Sequence, residues 1–276
     1  MHRLAYTLTA LTLLAVALAA PSPAPAAAPS LIGVFYNQHP SVRAGGPATL
    51  GDLAGDAGYL DFTQMAGDSR VICGAGDFSG TRAGEQLLAS FVSRDLDRGC
   101  GFDHGGIFTI TATVGLDDLH VAGDYVAKNA DGSSMIESTG IFEVWANGTA
   151  PLTTRYRGWF FNQTAGVSGT AVLDLAVGDR ALFGKMNFTG TPGDTILCGA
   201  GLLTGARHDS GALEWSFVSA DADLGCGFDH GMRFIVDAQR SPDGASVTGE
   251  YFLGDSRTGI FELRRASTTF LPIVTR

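Results

Sequence analysis

The chain has 276 residues, with 18 Lys or Arg and 28 Asp or Glu, so its formal net charge is −10. Removal of residues 1–19, which contain Arg3, leaves 17 basic and 28 acidic residues and a net charge of −11. This acidic balance argues against nucleic acid and against anionic membrane surfaces as partners. The 38 glycines follow no three-residue period and therefore predict many tight turns.

Residues 1–19 have the pattern of a secretory signal peptide. Met1-His2-Arg3 is a positively charged start, an apolar stretch follows, and Ala17-Leu18-Ala19 matches the small-residue cleavage pattern. The stretch is too short for a membrane-spanning helix, and no later stretch is apolar for long enough. Residues 20–30 are rich in Pro and Ala and predict an extended spacer. We therefore expect a bacterial protein that is secreted, or periplasmic, and that does not span a membrane.

The rest of the chain is an internal duplication. The string GCGFDHG occurs at 99–105 and again at 225–231, and TGIFE occurs at 139–143 and at 258–262. Each copy exceeds 100 residues, which is long enough for a domain rather than a solenoid repeat. The predicted division is a signal peptide 1–19, a spacer 20–30, a first β-barrel repeat 31–147, a linker 148–155, a second β-barrel repeat 156–266 and a C-terminal tail 267–276.

Within each copy the hydrophobic residues alternate with period two, which is typical of β-strands. Leu213, Trp215 and Phe217 share one face of a predicted strand, and the residues between them take the other face. Glycine and Asp-Gly turns separate such runs. Eight short antiparallel strands in each copy predict an all-β chain of two tandem up-and-down β-barrels, with a flattened sandwich as the alternative. In the second copy the predicted strands lie near 157–163, 169–177, 181–189, 195–200, 212–220, 231–238, 245–253 and 257–264.

The four cysteines are Cys73, Cys100, Cys198 and Cys226. An even number of cysteines in an exported chain predicts disulfides. Four cysteines allow three pairings, and the duplication selects Cys73–Cys100 and Cys198–Cys226, one bridge in each repeat. Each bridge is expected to stabilise its barrel by about 3–4 kcal/mol.

The strand that opens the second copy, Gly158-Trp-Phe-Phe-Asn-Gln163, resembles the first strand of avidin-like proteins, which carry Gly-x-Trp-x-Asn there. Lipocalins, in the same broad calycin-type class of barrels, also begin with Gly-x-Trp. The first copy has Gly33-Val-Phe-Tyr-Asn-Gln38 at the matching place, and 211–215 and 247–251 look like the middle and late strands of avidins. The resemblance implies an eight-stranded barrel that binds a ligand.

In avidin-like proteins the Asn after the Trp hydrogen-bonds the polar head of the ligand. The resemblance therefore implies that Asn37 and Asn162 are ligand contacts. Aromatic residues at a barrel mouth would supply the apolar contacts. The predicted ligand-binding set is Asn37, Asn162, Trp159, Trp215 and Tyr251.

The acids around the duplicated GCGFDHG string have the spacing of a candidate metal site. Carboxylates at Asp-x-Asp spacing on a glycine-rich loop are typical Ca²⁺ ligands, and His104 or His230 would favour a transition metal instead. The alternative is a solvated hairpin loop in which each Asp bonds its own turn. The candidate metal ligands are Asp95, Asp97, Asp103, Asp221, Asp223 and Asp229, and no other cofactor is predicted.

The sequence carries little sign of catalysis. Asp103 and His104 are adjacent, so on a strand they point to opposite faces and cannot form a relay. The stretch 166–170 lacks the last glycine of a nucleophile elbow. The favoured function is non-catalytic binding of a small molecule or surface glycan. The alternatives are a barrel-type enzyme of a cyclase-like or hydrolytic kind, because 73–80 resembles glycine-rich strands of allene oxide cyclases and dirigent proteins, and a structural extracellular module.

Overall fold

The computed structural model describes residues 30–63, 74–94, 105–190, 199–220, 231–253 and 256–266. These residues form two closed antiparallel β-barrels of eight strands each. Every strand pairs with its neighbours in sequence, and the last strand of each barrel pairs with the first. This confirms the prediction of two tandem eight-stranded up-and-down barrels in an all-β chain and removes the sandwich alternative.

Barrel 1 comprises β1 (Leu31–Asn37), β2 (Ala44–Ala54), β3 (Ala57–Phe62), β4 (Gly74–Ala83), β5 (Gln86–Val92), β6 (Ile107–Val114), β7 (His120–Lys128) and β8 (Ser134–Trp145). Barrel 2 comprises β9 (Thr154–Asn162), β10 (Val167–Val177), β11 (Ala181–Thr189), β12 (Gly199–Arg207), β13 (Ala212–Val218), β14 (Arg233–Arg240), β15 (Ser246–Leu253) and β16 (Ser256–Arg265). Among the described residues, no strand is shared between the two barrels.

The period-two pattern decides which side chains fill each barrel. In β5, Leu87, Ala89 and Phe91 are buried, and every residue between them is exposed. The buried side chains of all eight strands meet on the barrel axis, because alternate residues of a strand point to the same face. The same stacked pair recurs in both barrels, as Phe91–Phe108 and as Phe217–Phe234, each with ring centroids 4.7 Å apart. Both interiors are therefore packed with aromatic side chains.

The first strand of each barrel contains a glycine at a point where the neighbouring strand approaches closely. A Cβ atom on Gly33 would lie 2.0 Å from the carbonyl oxygen of Glu143, and one on Gly158 would lie 1.9 Å from that of Glu262. No side chain fits at either place without moving the backbone of β8 or β16. The glycine at this position is thus explained by strand packing alone.

One strand lies away from its predicted position. The prediction placed it near 195–200, and the structure has β12 at Gly199–Arg207. Gly205 lies inside this strand. A Cβ atom there would lie 2.0 Å from the carbonyl oxygen of Glu214, so this glycine permits close pairing of β12 with β13. Within the residues described, no helix has the length and apolar character to cross a membrane.

Candidate functional site between the barrels

The outer surface of barrel 1 packs against the outer surface of barrel 2 through β1, β2 and β8 on one side and β11, β12 and β13 on the other. On β1, Val34 and Tyr36 point outward, since the residue between them, Phe35, points into the barrel. Both are nevertheless buried, because barrel 2 covers them. The buried apolar side chains at this contact are Val34, Tyr36, Ile141, Ala181 and Ala206, with Phe183 packed against them.

Glu143 anchors the contact. Its side chain reaches from β8 to the turn between β10 and β11 and is fully buried. One carboxylate oxygen accepts the backbone N–H of Asp179 at 2.9 Å, and the other accepts those of Arg180 at 2.9 Å and Ala181 at 2.8 Å. The Nε2 of His120 lies 2.7 Å from the first oxygen. A charged acceptor with several donors is among the stronger interactions in proteins, so Glu143 holds the turn firmly.

Hydrogen bonding shifts the pKa values of His120 and Glu143 in the directions that favour a charged pair. The hydrogen bond to Glu143 raises the pKa of His120 above its ordinary 6.5, against the opposing effect of partial burial. Burial disfavours the charged form of Glu143, but the hydrogen bonds from His120 and the three backbone N–H groups outweigh it and lower the pKa of Glu143 below its ordinary 4.5.

The same cluster has the residue types of a metal site. Ligand atoms of His120, Glu143 and Asp179 lie within 4.8 Å of one another. A carboxylate offers about four lone-pair positions, and four donors already occupy those of Glu143. Hydrogen bonding between the barrels therefore accounts for the cluster without an ion.

A second polar group lies at the other end of the contact. The hydroxyl of Tyr36 donates to Glu214 at 3.0 Å, and Nε of Arg43 donates to the same oxygen at 2.9 Å. Arg43 also pairs with Asp237. Burial, followed by the charge of Glu214, raises the pKa of Tyr36 well above its ordinary value, so Tyr36 remains a neutral donor. This group links β1 to β13 and β14 and limits rotation of one barrel on the other.

An apolar groove follows the contact beside the linker. One cavity of about 360 Å³ is lined by Ile32, Val34, Trp145, Ala150 and Phe183 among others. A neighbouring cavity of about 330 Å³ shares Val34 and Phe183 with it and extends to Leu202. The rings of Trp145 and Phe183 lie 5.5 Å apart. We call these two cavities together the inter-barrel groove.

A polar cavity of about 380 Å³ lies next to Trp145 and is lined by His120, Glu143, Asp179 and Arg207 among others. The ring of His120 stacks on that of Trp145, with centroids 5.9 Å apart and an interplanar angle of 9°. Trp145 therefore borders the apolar groove and also this polar cavity. An apolar surface beside a few placed polar groups is the usual composition of a small-molecule site.

The two asparagines predicted to contact a ligand lie inside the barrels at the ends of β1 and β9. Both are fully buried. Oδ1 of Asn37 accepts the backbone N–H of His39 at 3.0 Å, and Oδ1 of Asn162 accepts that of Ala165 at 2.9 Å. Each side chain thus supports the turn that follows its strand. Nδ2 of Asn162 is buried without a hydrogen-bond partner among the described residues.

The three predicted aromatic contacts are divided between the interior and exterior of barrel 2. Trp215 and Tyr251 are fully buried in its core, and neither Trp215 Nε1 nor the Tyr251 hydroxyl has a hydrogen-bond partner in the part of the chain described. Trp159 points outward and is 43% exposed. The predicted ligand-binding residues therefore do not meet in one cavity, and their role stays a prediction.

The six candidate metal ligands and the four cysteines lie outside the described residues. They are Asp95, Asp97, Asp103, Asp221, Asp223, Asp229, Cys73, Cys100, Cys198 and Cys226. The Ca²⁺ site and both disulfide pairings stay predictions. Each of the segments that contain these residues connects an odd-numbered strand to the next even-numbered strand, as do the turns after Asn37 and Asn162. The described strand ends that flank these segments therefore lie at the same end of each barrel as Asn37 and Asn162.

The residues of the inter-barrel groove were not identified from the sequence. A signal for them exists in β1, whose residues 34–37 are buried without alternation. A strand buried on both faces is a nearly continuous apolar run, whereas a barrel strand with a solvated outer face alternates. The run Val34-Phe-Tyr36 thus indicates that something covers the outside of barrel 1.

No family model matches the chain, and no curated protein matches it. Among solved structures, it is similar to isotype 1 transferrin binding protein B from serogroup B Neisseria meningitidis. The identity is 11% and the TM-score 0.28, over 80% of this chain and 58% of that protein. This chain thus spans less than two thirds of that chain's length, and its function has to be inferred from its own geometry.

Proposed function

We propose that the protein is a non-catalytic binding protein that holds a small molecule, or the terminal ring of a surface glycan, between its two barrels. The observation that carries this proposal is the inter-barrel groove, in which Trp145 and Phe183 form an apolar wall beside the polar cavity of His120 and Arg207. Both barrels supply walls of the groove, so the duplication is part of the site.

The packing of the barrel interiors favours the groove over a site inside a barrel. The core rings touch one another across both barrel axes, with Phe35 and Phe62 centroids 4.8 Å apart in barrel 1 and Phe188 and Tyr251 4.8 Å apart in barrel 2. An interior packed in this way leaves no room for a ligand the size of a sugar ring. The groove offers such room at the surface.

The hydrogen bonds that Glu143 already accepts favour a binding function over a catalytic one. His120 and Glu143 are the nearest approach to an acid–base pair beside the groove. All the acceptor positions of Glu143 are used by hydrogen bonds within the protein, so it has none left to take a proton from a substrate. In this proposal residues 1–19 direct export, and the protein meets its ligand outside the cytoplasm.

A variant that fills the groove tests the proposal. Ala150 is exposed and lines the apolar cavity, so Ala150→Trp places an indole in the groove without disturbing a barrel core. Ala130 is an exposed residue in the hairpin between β7 and β8, at the opposite end of barrel 1, and Ala130→Trp is the matched control. Native mass spectrometry would follow the mass of each protein after incubation with a panel of aromatic metabolites and oligosaccharides.

We expect at least one compound to bind the parent protein and Ala130→Trp but not Ala150→Trp. Retention of the same bound mass by Ala150→Trp would show that the groove is not the site. The absence of any bound compound with the parent protein would contradict the proposed function.

A further inference from the structure

The outer face of barrel 2 on β9, β15 and β16 repeats the face by which barrel 1 docks on barrel 2. We call it the Trp159 face. Its residues are Trp159, Phe161, Glu250, Ile260 and Glu262, and they correspond through the duplication to Val34, Tyr36, Asp124, Ile141 and Glu143 of barrel 1. Three pairs are apolar or aromatic in both barrels, and two are acidic in both. Barrel 2 covers the docking face of barrel 1, whereas Trp159 is 43% exposed and the side chain of Glu262 is 39% exposed.

We propose that the Trp159 face docks on barrel 1 of a second copy of this chain, in the way that barrel 1 docks on barrel 2 within the chain. An outward tryptophan beside Phe161 and Ile260 contributes nothing to the core of its own barrel. Tryptophan at the centre of an exposed apolar patch is characteristic of protein interfaces.

The receiving surface would lie on β3, β4 and β5 of barrel 1, the counterparts of β11, β12 and β13, with β6, the counterpart of β14, at its edge. Leu88 stands in β5 where Glu214 stands in β13, and Thr111 stands in β6 where Asp237 stands in β14. Leu88 points outward and is 53% exposed. Its strands β4 and β5 lie opposite β8 and β1 across barrel 1, so barrel 2 of the same chain leaves them accessible.

The Trp159 face and the receiving surface both differ from their counterparts within the chain at the positions of Tyr36 and Glu214. Within the chain, the Tyr36 hydroxyl donates to the carboxylate of Glu214. The counterparts are Phe161 and Leu88, so the hydroxyl and the carboxylate that accepts it are both absent. The apolar pair would pack directly, and no unpaired hydroxyl or carboxylate would be buried at these two positions.

The charged pair at the same contact has changed in the same way. Arg43 pairs with Asp237 within the chain. Arg43 precedes the residue that pairs with Asn37, and Gly166 precedes the residue that pairs with Asn162, so Gly166 is the counterpart of Arg43. Thr111 replaces Asp237. The cation and the anion are therefore lost together, so neither would be left unpaired at this position of the proposed contact.

The proposed contact is heterologous, because two different surfaces meet. In barrel 2 the central strand of the Trp159 face, β16, lies four strands, or half a turn, from β12, which barrel 1 already covers, so one barrel can engage on both sides. Repetition of such a contact produces a ring or an open row of copies.

Sedimentation velocity of the purified protein over a roughly 100-fold range of concentration tests the proposal. We expect the sedimentation coefficient to rise with concentration. Trp159→Asp and Leu88→Glu should each weaken self-association by about thirtyfold or more, as expected for the centre of an interface. Leu116→Glu, at a 90% exposed loop position, is the control and should associate like the parent.

A mixing experiment separates this contact from other kinds of association. Trp159→Asp keeps an intact receiving surface, and Leu88→Glu keeps an intact Trp159 face, so an equimolar mixture should form 1:1 dimers although neither variant associates alone. In one chain, Phe161→Tyr together with Leu88→Glu restores the hydrogen-bonding pair and should recover part of the association. A parent protein that stays monomeric, a Leu88→Glu variant that associates normally, or a mixture that stays monomeric would each overturn the proposal.

Discussion

Glu143 provides the most direct test of how the barrels are held together, because one substitution can reverse the hydrogen-bonding character of half its side chain. Glu143→Gln keeps the shape of the residue but replaces one carboxylate oxygen by an NH₂ group. In either orientation of the amide, the NH₂ group faces a backbone N–H of the turn at 179–181. A donor then faces a donor at a place where the carboxylate accepts a hydrogen bond.

The expected decrease in the free energy of unfolding follows from the hydrogen bonds that are lost. The oxygen that accepts from Arg180 and Ala181 takes part in two charge-assisted hydrogen bonds. Hydrogen bonds to charged groups contribute about 1.5–3 kcal/mol each, and breaking a buried charged interaction costs about 3–5 kcal/mol. We therefore expect Glu143→Gln to lower the free energy of unfolding by about 3–5 kcal/mol.

The matched control is Glu262→Gln, the same position in barrel 2. The side chain of Glu262 is 39% exposed and its ion pair with Arg264 spans 3.3 Å, so its loss should cost about 0–1 kcal/mol. Urea unfolding followed by tryptophan fluorescence and circular dichroism would measure both variants. Equal effects of the two substitutions would refute the assignment of Glu143 as the anchor between the barrels.

Two further predictions concern pH and unpaired groups. The pKa of His120 is raised, so its contribution to folding stability is complete below pH 6.5 and is lost as pH rises through its folded pKa. The pKa of Glu143 is lowered, so its contribution to folding stability is complete above pH 4.5 and is lost as pH falls through its folded pKa. The urea midpoint of unfolding, measured against pH, should show that this pair stabilises the fold most between pH 4.5 and 6.5. His120→Gln should remove the decrease in stability on the alkaline side, and a pH profile of that variant identical to the parent's would contradict the prediction. Tyr251→Phe removes a buried hydroxyl that has no hydrogen-bond partner among the described residues, so stability should be unchanged or higher by about 1 kcal/mol. Tyr156→Phe, which loses hydrogen bonds to the Gly244 carbonyl and from Arg240, should cost about 1–3 kcal/mol in the same assay, and a larger loss for Tyr251→Phe would show that its hydroxyl is paired.

Much of the fold was predictable because its causes are local. The alternation of Leu87, Ala89 and Phe91 reports which residues of a strand face the core, whatever that strand pairs with. The duplication then indicates that the same barrel is built twice. The position of β12 was less predictable, because Gly205 is required by the close approach of β13 and not by a turn.

The candidate site was not predictable in this way, since its residues come together only when one barrel meets the other. Trp145 corresponds in the second copy to Arg264, so the duplication gives no hint of it. The sequence signal was the apolar run Val34-Phe-Tyr36, which does not alternate and so indicates a covered outer face without indicating what covers it.

Glu143 and Glu262 show which features the sequence determines and which depend on the tertiary structure. Both end the same string, TGIFE, and both point outward from an equivalent strand, so the sequence alone determined that each is an outer residue of a barrel. Only the tertiary structure decided that one is fully buried with four donors around it and the other meets solvent. The physical reason is that alternation separates the inside of a barrel from the outside, whereas the environment of the outside depends on which other surface lies against it.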